Sequence, residues 1–280
     1  MFRPQVSKLV SALRLAPFAV VAAVALSGCA ADKTTDEYVE KPIATLYDDG
    51  LAKLGASEYK ESAKAFEEVE QQHPYSAWAV KAQLMAAYAY YQGGKFDDAI
   101  LAADRFIDLY PANSDVPYAY YLKALCYYEQ ISDVARDQKM TLDARAALSE
   151  VIKRFPDSEY ARDARLKFDL TTDHLAGKEM EIGRYYLKTS NWLSAINRFQ
   201  AVVHTYDSTS HVPEALYRLV ELYTKIGLKE EAKKAGAVLG YNYPGSDWYA
   251  MAYRILEGDS NLPEGAPAST GSWTGKLWPF

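Results

Sequence analysis

Apolar residues recur at intervals of three and four from Pro42 to about Gly258, the spacing that puts them on one face of an α-helix. Ala, Leu, Tyr, Lys and Glu dominate this stretch. No part of it shows the sustained alternation of apolar and polar residues that is typical of strands. The pattern predicts an all-α domain over residues 42–257. A tail, 258–280, follows it, and its Gly, Pro and Ser content predicts disorder.

A helix-ending signal recurs five times along this domain. Proline cannot continue a helix, and the Ser or Asn just beyond it can cap the next one. Counted from residue 74, successive copies are 37, 45, 51 and 37 residues apart, so a unit of about 37 residues carries insertions of about eight and fourteen. The copies read His73-Pro74-Tyr75-Ser76, Tyr110-Pro111-Ala112-Asn113-Ser114, Phe155-Pro156-Asp157-Ser158, Tyr206-Asp207-Ser208 and Tyr243-Pro244-Gly245-Ser246.

Three more positions keep a fixed distance from the signal. An apolar residue stands five residues before it: Val69, Phe106, Val151, Val202 and Leu239. A small residue stands twelve before it: Ser62, Ala99, Ala144, Ala195 and Ala232. The position fifteen before it holds Tyr59, Phe96, Thr141, Trp192 or Lys229. Small residues let two helices cross closely, and large ones fill the space beside the crossing.

The unit resembles the tetratricopeptide repeat (TPR), a helix pair of about 34 residues that buries its apolar face only by stacking on its neighbours. We therefore predict a TPR solenoid of five helix pairs at 42–73, 76–110, 114–155, 158–206 and 210–243. A last helix at 246–257 would cover the open end. Residues 158–188 contain no proline and predict a single long helix.

The N-terminus has the layout of an export signal. Three basic residues precede a twelve-residue apolar run, Leu15 to Leu26, which is too short to span a bilayer and fits a signal peptide over residues 1–28. Leu26-Ser27-Gly28-Cys29 resembles a lipobox, so we expect Cys29 to carry N-acyl and S-diacylglycerol chains. Residues 29–41 would form the lipidated tether. Ala30 follows the cysteine in place of the Asp of an inner-membrane retention signal, which favours the periplasmic face of the outer membrane.

Charge and motifs argue against several functions. Removal of residues 1–28 takes away three positive charges and no negative one, so the net charge falls from −6 to −9 and disfavours nucleic acid as a partner. The chain has no Gly-x-Ser-x-Gly, phosphate-loop or His-Glu-x-x-His motif, and Gly93-Gly94-Lys95 fits a turn between helices. We expect no enzymatic activity, no metal, and no cofactor other than the lipid. Cys126 has no thiol partner once Cys29 is acylated, and we expect it to be a small buried hydrophobe.

Tyrosine is abundant, with 23 residues in the chain. In a TPR stack the first helix of each pair lines the concave face, and tyrosine suits recognition because it joins a rigid apolar ring to a hydrogen-bonding tip. Each tyrosine can equally fill space between helices. Lys81 and Lys123 flank the same helices and could receive a carboxylate, or they could lie on solvated faces. Alignment of residues 87–91 with 124–128 fixes the phase of two first helices, and the resemblance to TPR proteins then implies a peptide-binding groove at these positions: Tyr47, Leu51, Leu84, Tyr88, Tyr91, Tyr118, Tyr121, Leu125 and Tyr128.

Three segments give a more specific resemblance. Ile131-Ser132-Asp133-Val134-Ala135-Arg136-Asp137-Gln138 is one, and the run from Arg154-Phe155-Pro156-Asp157-Ser158 to Asp163-Ala164 is the second. The third is His174-Leu175-Ala176-Gly177-Lys178-Glu179-Met180 and its continuation to Tyr186. Together they resemble the BamD (ComL) family of TPR lipoproteins, which belong to the outer-membrane β-barrel assembly (BAM) machine. The resemblance covers residues 29 to about 257.

The resemblance implies a non-catalytic periplasmic scaffold. It implies that the C-terminal repeats, four and five, bind the membrane-proximal POTRA domain of BamA, beside other BAM lipoproteins. It also implies that the N-terminal repeats receive the C-terminal targeting strand of unfolded outer-membrane proteins, which commonly ends in an aromatic residue. One alternative remains from the sequence alone: another envelope TPR lipoprotein, such as a pilotin or a peptidoglycan-enzyme adaptor. A murein-cleaving enzyme would need a catalytic Glu in a separate compact domain, and the helical repeats leave no residues to build one.

The lipobox makes one prediction about the N-terminus. Cys29→Ser removes the only thiol there, so the variant should incorporate no radiolabelled fatty acid and should be released from the outer membrane or remain unprocessed. The parent chain, labelled in parallel, is the control. Label that still attaches to the serine variant would contradict the assignment of Cys29.

Overall fold

The computed structural model describes residues 40–257, and the signal peptide, Cys29 and the 258–280 tail lie outside them. Every element that it describes is an α-helix, in the order α1 (Ile43–Gly55), α2 (Tyr59–Gln72), α3 (Ala77–Gln92), α4 (Phe96–Leu109), α5 (Val116–Tyr128), α6 (Lys139–Arg154), α7 (Glu159–Lys188), α8 (Trp192–Thr205), α9 (Val212–Lys225), α10 (Lys229–Asn242) and α11 (Asp247–Glu257). Within this range no helix is both long and apolar enough to cross a membrane.

The predicted helix pairs are confirmed. Each helix from α1 to α10 packs on the next in the chain, and α11 packs on both α9 and α10. The long helix is also confirmed, since α7 runs unbroken for 30 residues, or about 45 Å at 1.5 Å per residue. Ser76 and Ser158 accept hydrogen bonds from the backbone N–H groups of Ala79 and Ala161, so the serines of these two helix-ending signals cap the following helices.

The turn inside four of the five pairs has the same conformation. Ser57, Gly94, Ser190 and Gly227 occupy equivalent positions, seventeen residues before the signal, and all have positive φ, between 61° and 85°. This left-handed residue ends the first helix within a tight turn. Gly94 confirms the prediction that Gly93-Gly94-Lys95 joins two helices. In the third pair the insertion replaces this turn with a longer loop.

That insertion loop contacts α7 directly. Lys178 of α7 donates a hydrogen bond to the carbonyl of Ala135 at 3.0 Å, and Val134 lies against Gly177. Within the loop, the Gln138 amide donates to the carbonyls of Asp133, Val134 and Arg136. The insertion loop therefore packs against the part of α7 that lies beside it.

At most one of the two residues that meet where the helices of a pair cross is large. Gly50 faces the ring of Phe66 in the first pair, and Gly183 faces that of Phe199 in the fourth. At the equivalent positions the other pairs carry Ala87 with Ala103, Ala124 with Leu148 and Val220 with Gly236. Because interiors are close-packed, a large residue on one helix requires a small one opposite it.

This crossing predicts a position-specific loss of stability. A Cβ added at Gly183 would lie 2.6 Å from Phe199 Cε1, so Gly183→Ala should lower the free energy of unfolding by about 1–3 kcal/mol through overpacking. Gly55→Ala is the matched control, because an added Cβ there has no atom within 4 Å, and it should change stability by less than about 0.5 kcal/mol. Urea unfolding followed by circular dichroism measures both.

A second substitution tests the cause. When Phe199→Leu is combined with Gly183→Ala, the shorter side chain makes room for the new methyl group, so the double variant should lose less stability than the two single variants together. Strict additivity of the two losses would contradict a shared packing site.

Candidate functional site

Five tyrosine rings from three successive first helices form one cluster: Tyr88, Tyr91, Tyr118, Tyr121 and Tyr160. On the α5 side, Tyr118 and Tyr121 each place a ring centroid 5.4 Å from that of Tyr160 on α7, and the Tyr121 pair is stacked. On the α3 side, Tyr88 and Tyr91 pack with Tyr118 around the buried Ala87, Ala103 and Leu122. All five rings are half-buried. The cluster thus spans the second, third and fourth repeats.

The hydroxyl groups of the cluster are held in low-dielectric surroundings. Burial raises the pKa of Tyr118 well above its usual range, and the neighbouring tyrosines add to the shift. Burial also raises the pKa of Tyr91. The Tyr88 hydroxyl accepts a hydrogen bond of 2.8 Å from the Gln92 amide. Tyr91 and Tyr118 therefore act as apolar rings with polar tips.

A carboxylate and an ammonium group border the cluster on α7. Tyr121 donates its hydroxyl proton to Asp163 in a short hydrogen bond, and Lys167 Nζ lies 3.0 Å from the same carboxylate. The Tyr121 hydrogen bond, reinforced by Lys167, lowers the pKa of Asp163. Lys167 also lies over the ring of Tyr128, 5.3 Å from its centroid, within range of a cation–π contact.

The structure contradicts the assignment of Leu84 to the groove and gives Lys123 an ion-pair partner. Leu84 is buried with Phe106, Val116 and Ala119, so it belongs to the core and not to a groove surface. The equivalent position holds a tyrosine in the adjacent repeats, Tyr47 and Tyr121. Lys123 forms a 2.6 Å ion pair with Asp104 of α4, so it is already engaged on the side of the second helices.

The remaining predicted groove residues lie in varied surroundings. Tyr47 packs edge-on against Phe66 and Trp78, with centroid distances of 5.3 and 4.9 Å. Leu51, one turn further along α1, is 42% exposed, and Leu125 is half-buried. Tyr128 packs with Tyr121 over the core of the third repeat.

Sequence reasoning missed the α7 side of the cluster, although a signal was present. Tyr160 stands five residues after the aromatic residue of a helix-ending signal, as do Trp78 and Trp248. Each of the three packs on an aromatic residue of the preceding first helix: Trp78 on Tyr47, Tyr160 on Tyr121, and Trp248 on Tyr217 at 5.3 Å. This recurring pair joins successive repeats. Asp163 and Lys167 had no comparable signal.

The arrangement offers binding surface rather than reactive groups. Cys126 is fully buried, and burial raises the pKa of its thiol to about 12, so the nucleophilic thiolate is not formed near neutral pH. Among residues 40–257, no group of three or more His, Cys, Asp or Glu side chains could hold a metal ion. The cluster can supply aromatic contacts, hydrogen-bonding tips and one ion pair.

Comparison with known proteins places this geometry in a family. Residues 39–239 match the sequence profile of the YfiO family, described as outer membrane lipoprotein. The chain is 52% identical to the outer membrane protein assembly factor BamD of Caulobacter vibrioides over 91% of its own length and 84% of that protein. It is 47% identical to the Rickettsia prowazekii protein of the same name, over 92% of this chain and all of the relative.

Solved TPR structures are also similar to this chain. A TPR protein of Thermus thermophilus is 16% identical to this chain, with a TM-score of 0.35. The match covers 77% of this chain and 99% of the Thermus protein. The helix pairs described above, rather than this likeness, establish the fold. Both the family profile and the identity to full-length relatives show that the chain belongs to the BamD family of outer-membrane lipoproteins.

Proposed function

We propose that this chain is a non-catalytic scaffold subunit of the outer-membrane protein assembly machine. It binds BamA and, separately, the C-terminal targeting strand of unfolded β-barrel proteins. The relatives' name, outer membrane protein assembly factor, supports the assembly role and favours it over a pilotin or a peptidoglycan-enzyme adaptor. The observation that carries strand binding is the five-tyrosine cluster across α3, α5 and α7.

The cluster suits a peptide that ends in an aromatic residue. A sixth ring entering between half-exposed tyrosines buries apolar area and makes edge-to-face contacts, each worth about 0.5–1.5 kcal/mol beyond the area term. Rings supplied by three separate helices present an extended surface, as a strand-like ligand requires. Ordering a flexible peptide offsets much of this gain, so the affinity is modest, which fits a client that has to be passed on.

Lys167 borders the cluster through Asp163 and could receive the terminal carboxylate, a role that the sequence left open for Lys81 and Lys123. It already pairs with Asp163, and its side chain is partly exposed. A terminal carboxylate of the peptide would compete with Asp163 for this ammonium group, so the contact contributes little affinity. It would orient the peptide end toward α7.

We place the BamA contact on repeats four and five. At this end of the domain, α7 to α11 contribute to the largest buried hydrophobic cluster among the described residues, which makes this part of the domain rigid. The turns of the two repeats lie side by side, since Lys225 Nζ is 3.9 Å from the centroid of the Trp192 ring. Leu193, Ile226 and Leu228 expose apolar side chains at these turns and offer a surface for a folded partner domain.

The lipid on Cys29 completes the proposal. Two or three acyl chains hold a protein durably on a membrane, where a single chain does not. With its lipid in the inner leaflet of the outer membrane, the domain would face the periplasm. The family description, outer membrane lipoprotein, supports this location.

The strand-binding proposal predicts a loss of affinity on removal of two rings. Tyr88→Ala, in the cluster, combined with Tyr128→Ala, at the ring that packs beside Tyr121, should weaken binding of a fluorescent peptide that copies the last strand of a β-barrel by roughly tenfold or more, about 1.4 kcal/mol. Removal of the peptide's terminal aromatic residue should cost a similar amount. Fluorescence anisotropy gives the affinities, and circular dichroism checks that the variant is folded.

A matched pair of tyrosines provides the control. Tyr75 and Tyr241 are almost fully exposed and lie outside the cluster, so the combination of Tyr75→Ala with Tyr241→Ala should leave the affinity unchanged. If the folded Tyr88/Tyr128 variant binds as tightly as the parent, those rings serve packing alone and the strand binds elsewhere.

The placement of BamA predicts a second, separable defect. Ile226→Asp with Leu228→Asp should reduce the BamA that co-purifies from solubilised membranes by at least tenfold, because two charges enter an apolar contact surface. Leu109→Asp with Leu142→Asp, at residues of similar exposure on α4 and α6, should leave BamA recovery near the parent level. Equal recovery from both double variants would move the interface to another part of the domain.

A further inference from the structure

A cavity of about 230 Å³ lies on the other face of α3, between that helix and the second helices α2 and α4. It is separate from the tyrosine cluster, and neither proposed binding surface uses it. The side chains that define it are Glu67, Glu70, Gln83, Tyr90, Leu101 and Arg105.

Gln83 is the unusual residue of this cavity. Its side chain is only 3% exposed, yet no group among residues 40–257 hydrogen-bonds either its amide nitrogen or its amide oxygen. A buried amide without partners destabilises a fold, because it gives up its hydrogen bonds to water and gains none in exchange. An apolar residue of similar size would avoid this cost. The amide therefore makes sense as part of a site whose ligand supplies the missing partner.

The charges around the cavity favour a cationic ligand. Glu67 accepts a 2.7 Å hydrogen bond from the Tyr90 hydroxyl, and Glu70 forms an ion pair with Arg105. Asp98 also lines the cavity and acts on the Tyr90 phenol. Three carboxylates thus face a single guanidinium, which leaves a net negative charge. Ala86, Ala102 and Leu101 supply an apolar wall, and Leu101 is 69% exposed at the rim.

We propose that this cavity receives the guanidinium group of an arginine side chain from a partner polypeptide. The apolar wall matches the three methylene groups of arginine, and the planar guanidinium can donate to a carboxylate and to the Gln83 amide oxygen at the same time. A lysine ammonium is a compact point charge, so it is less suited to bind a carboxylate and the Gln83 amide oxygen at the same time.

Access to the amide requires one lining side chain to turn aside, since both amide atoms are screened from solvent. Arg105 is best placed to do so. Its side chain is 61% exposed, and its ion pair with Glu70 is the contact that holds it. An incoming guanidinium would replace Arg105 on Glu70, so this carboxylate stays paired in the complex.

The surroundings indicate a polypeptide rather than a small cation as the source. A second depression of about 500 Å³ shares Glu67, Glu70 and Arg105 with the first and continues over Gln71 and Pro74. This continuation leaves room for the chain on either side of the arginine. The exposed Leu101 would contact an apolar neighbour of that arginine.

The test titrates the full chain, uniformly ¹⁵N-labelled and in detergent, with N-acetyl-arginine-N-methylamide while amide spectra are recorded. Saturable shifts of the backbone amides of Tyr90, Ala102 and the Gln83 side chain are expected. The citrulline analogue is isosteric but neutral and should bind at least tenfold more weakly. Agmatine, which carries the guanidinium without the peptide groups, should also bind more weakly. Equal binding of the arginine and citrulline compounds would overturn the proposal, and tighter binding of agmatine would reassign the site to a small cation.

Two variants and one control complete the experiment. Gln83→Leu removes the unpartnered amide and Glu67→Gln removes one charge, so each should weaken binding of the arginine compound at least fivefold. Asp97→Asn removes an exposed carboxylate from α4 outside the cavity and should leave binding unchanged. Gln83→Leu should not lower the thermal midpoint, since it buries an apolar group. Undiminished binding by either cavity variant, or equal loss in all three, would contradict the assignment.

Discussion

The crossing of the two helices in each pair has room for one large side chain, and the rest of the domain depends on how each repeat meets this limit. Gly50 accommodates Phe66 and Gly183 accommodates Phe199, whereas the fifth pair reverses the order, with Val220 opposite Gly236. Close approach of the two helices buries their facing apolar sides against each other. The outer side of each first helix then packs on the next repeat. A solenoid is stable only through such nearest-neighbour contacts.

The same stacking creates the surface that we propose for binding. An aromatic residue at the start of the first helix of one repeat packs on an aromatic residue in the first helix of the preceding repeat. Tyr160 packs on Tyr121 in this way, and Trp78 packs on Tyr47. These rings are half-buried because they join repeats, and their open edges remain available to a ligand. In the binding that we propose, packing and recognition use the same side chains. Removal of a central ring, such as Tyr118, would affect both, whereas Tyr88 and Tyr128 lie nearer to the margins.

Most of the fold could be predicted from the sequence because the repeat signals are local. The helix-ending signals and the caps Ser76 and Ser158 act within a few residues, so they fix helix bounds without knowledge of the neighbours. The candidate site was less predictable because it depends on contacts between repeats. Leu84 follows the groove pattern but is covered by its neighbours, and Lys123 is drawn to Asp104. The unpartnered amide of Gln83 gave no sign in the sequence, since glutamine is common on helix surfaces.

The most direct measurement of the central claim places a photoreactive residue in the surface itself. The full chain carries p-benzoylphenylalanine at position 88 in intact cells, with position 75, an exposed tyrosine outside the cluster, as the matched site. Irradiation followed by mass spectrometry identifies the crosslinked polypeptide and the crosslinked residue. The account predicts crosslinks from position 88 to the last strand of newly exported β-barrel proteins, with few from position 75. Crosslinks that are absent at position 88, or that reach β-barrel proteins equally from both positions, would contradict it.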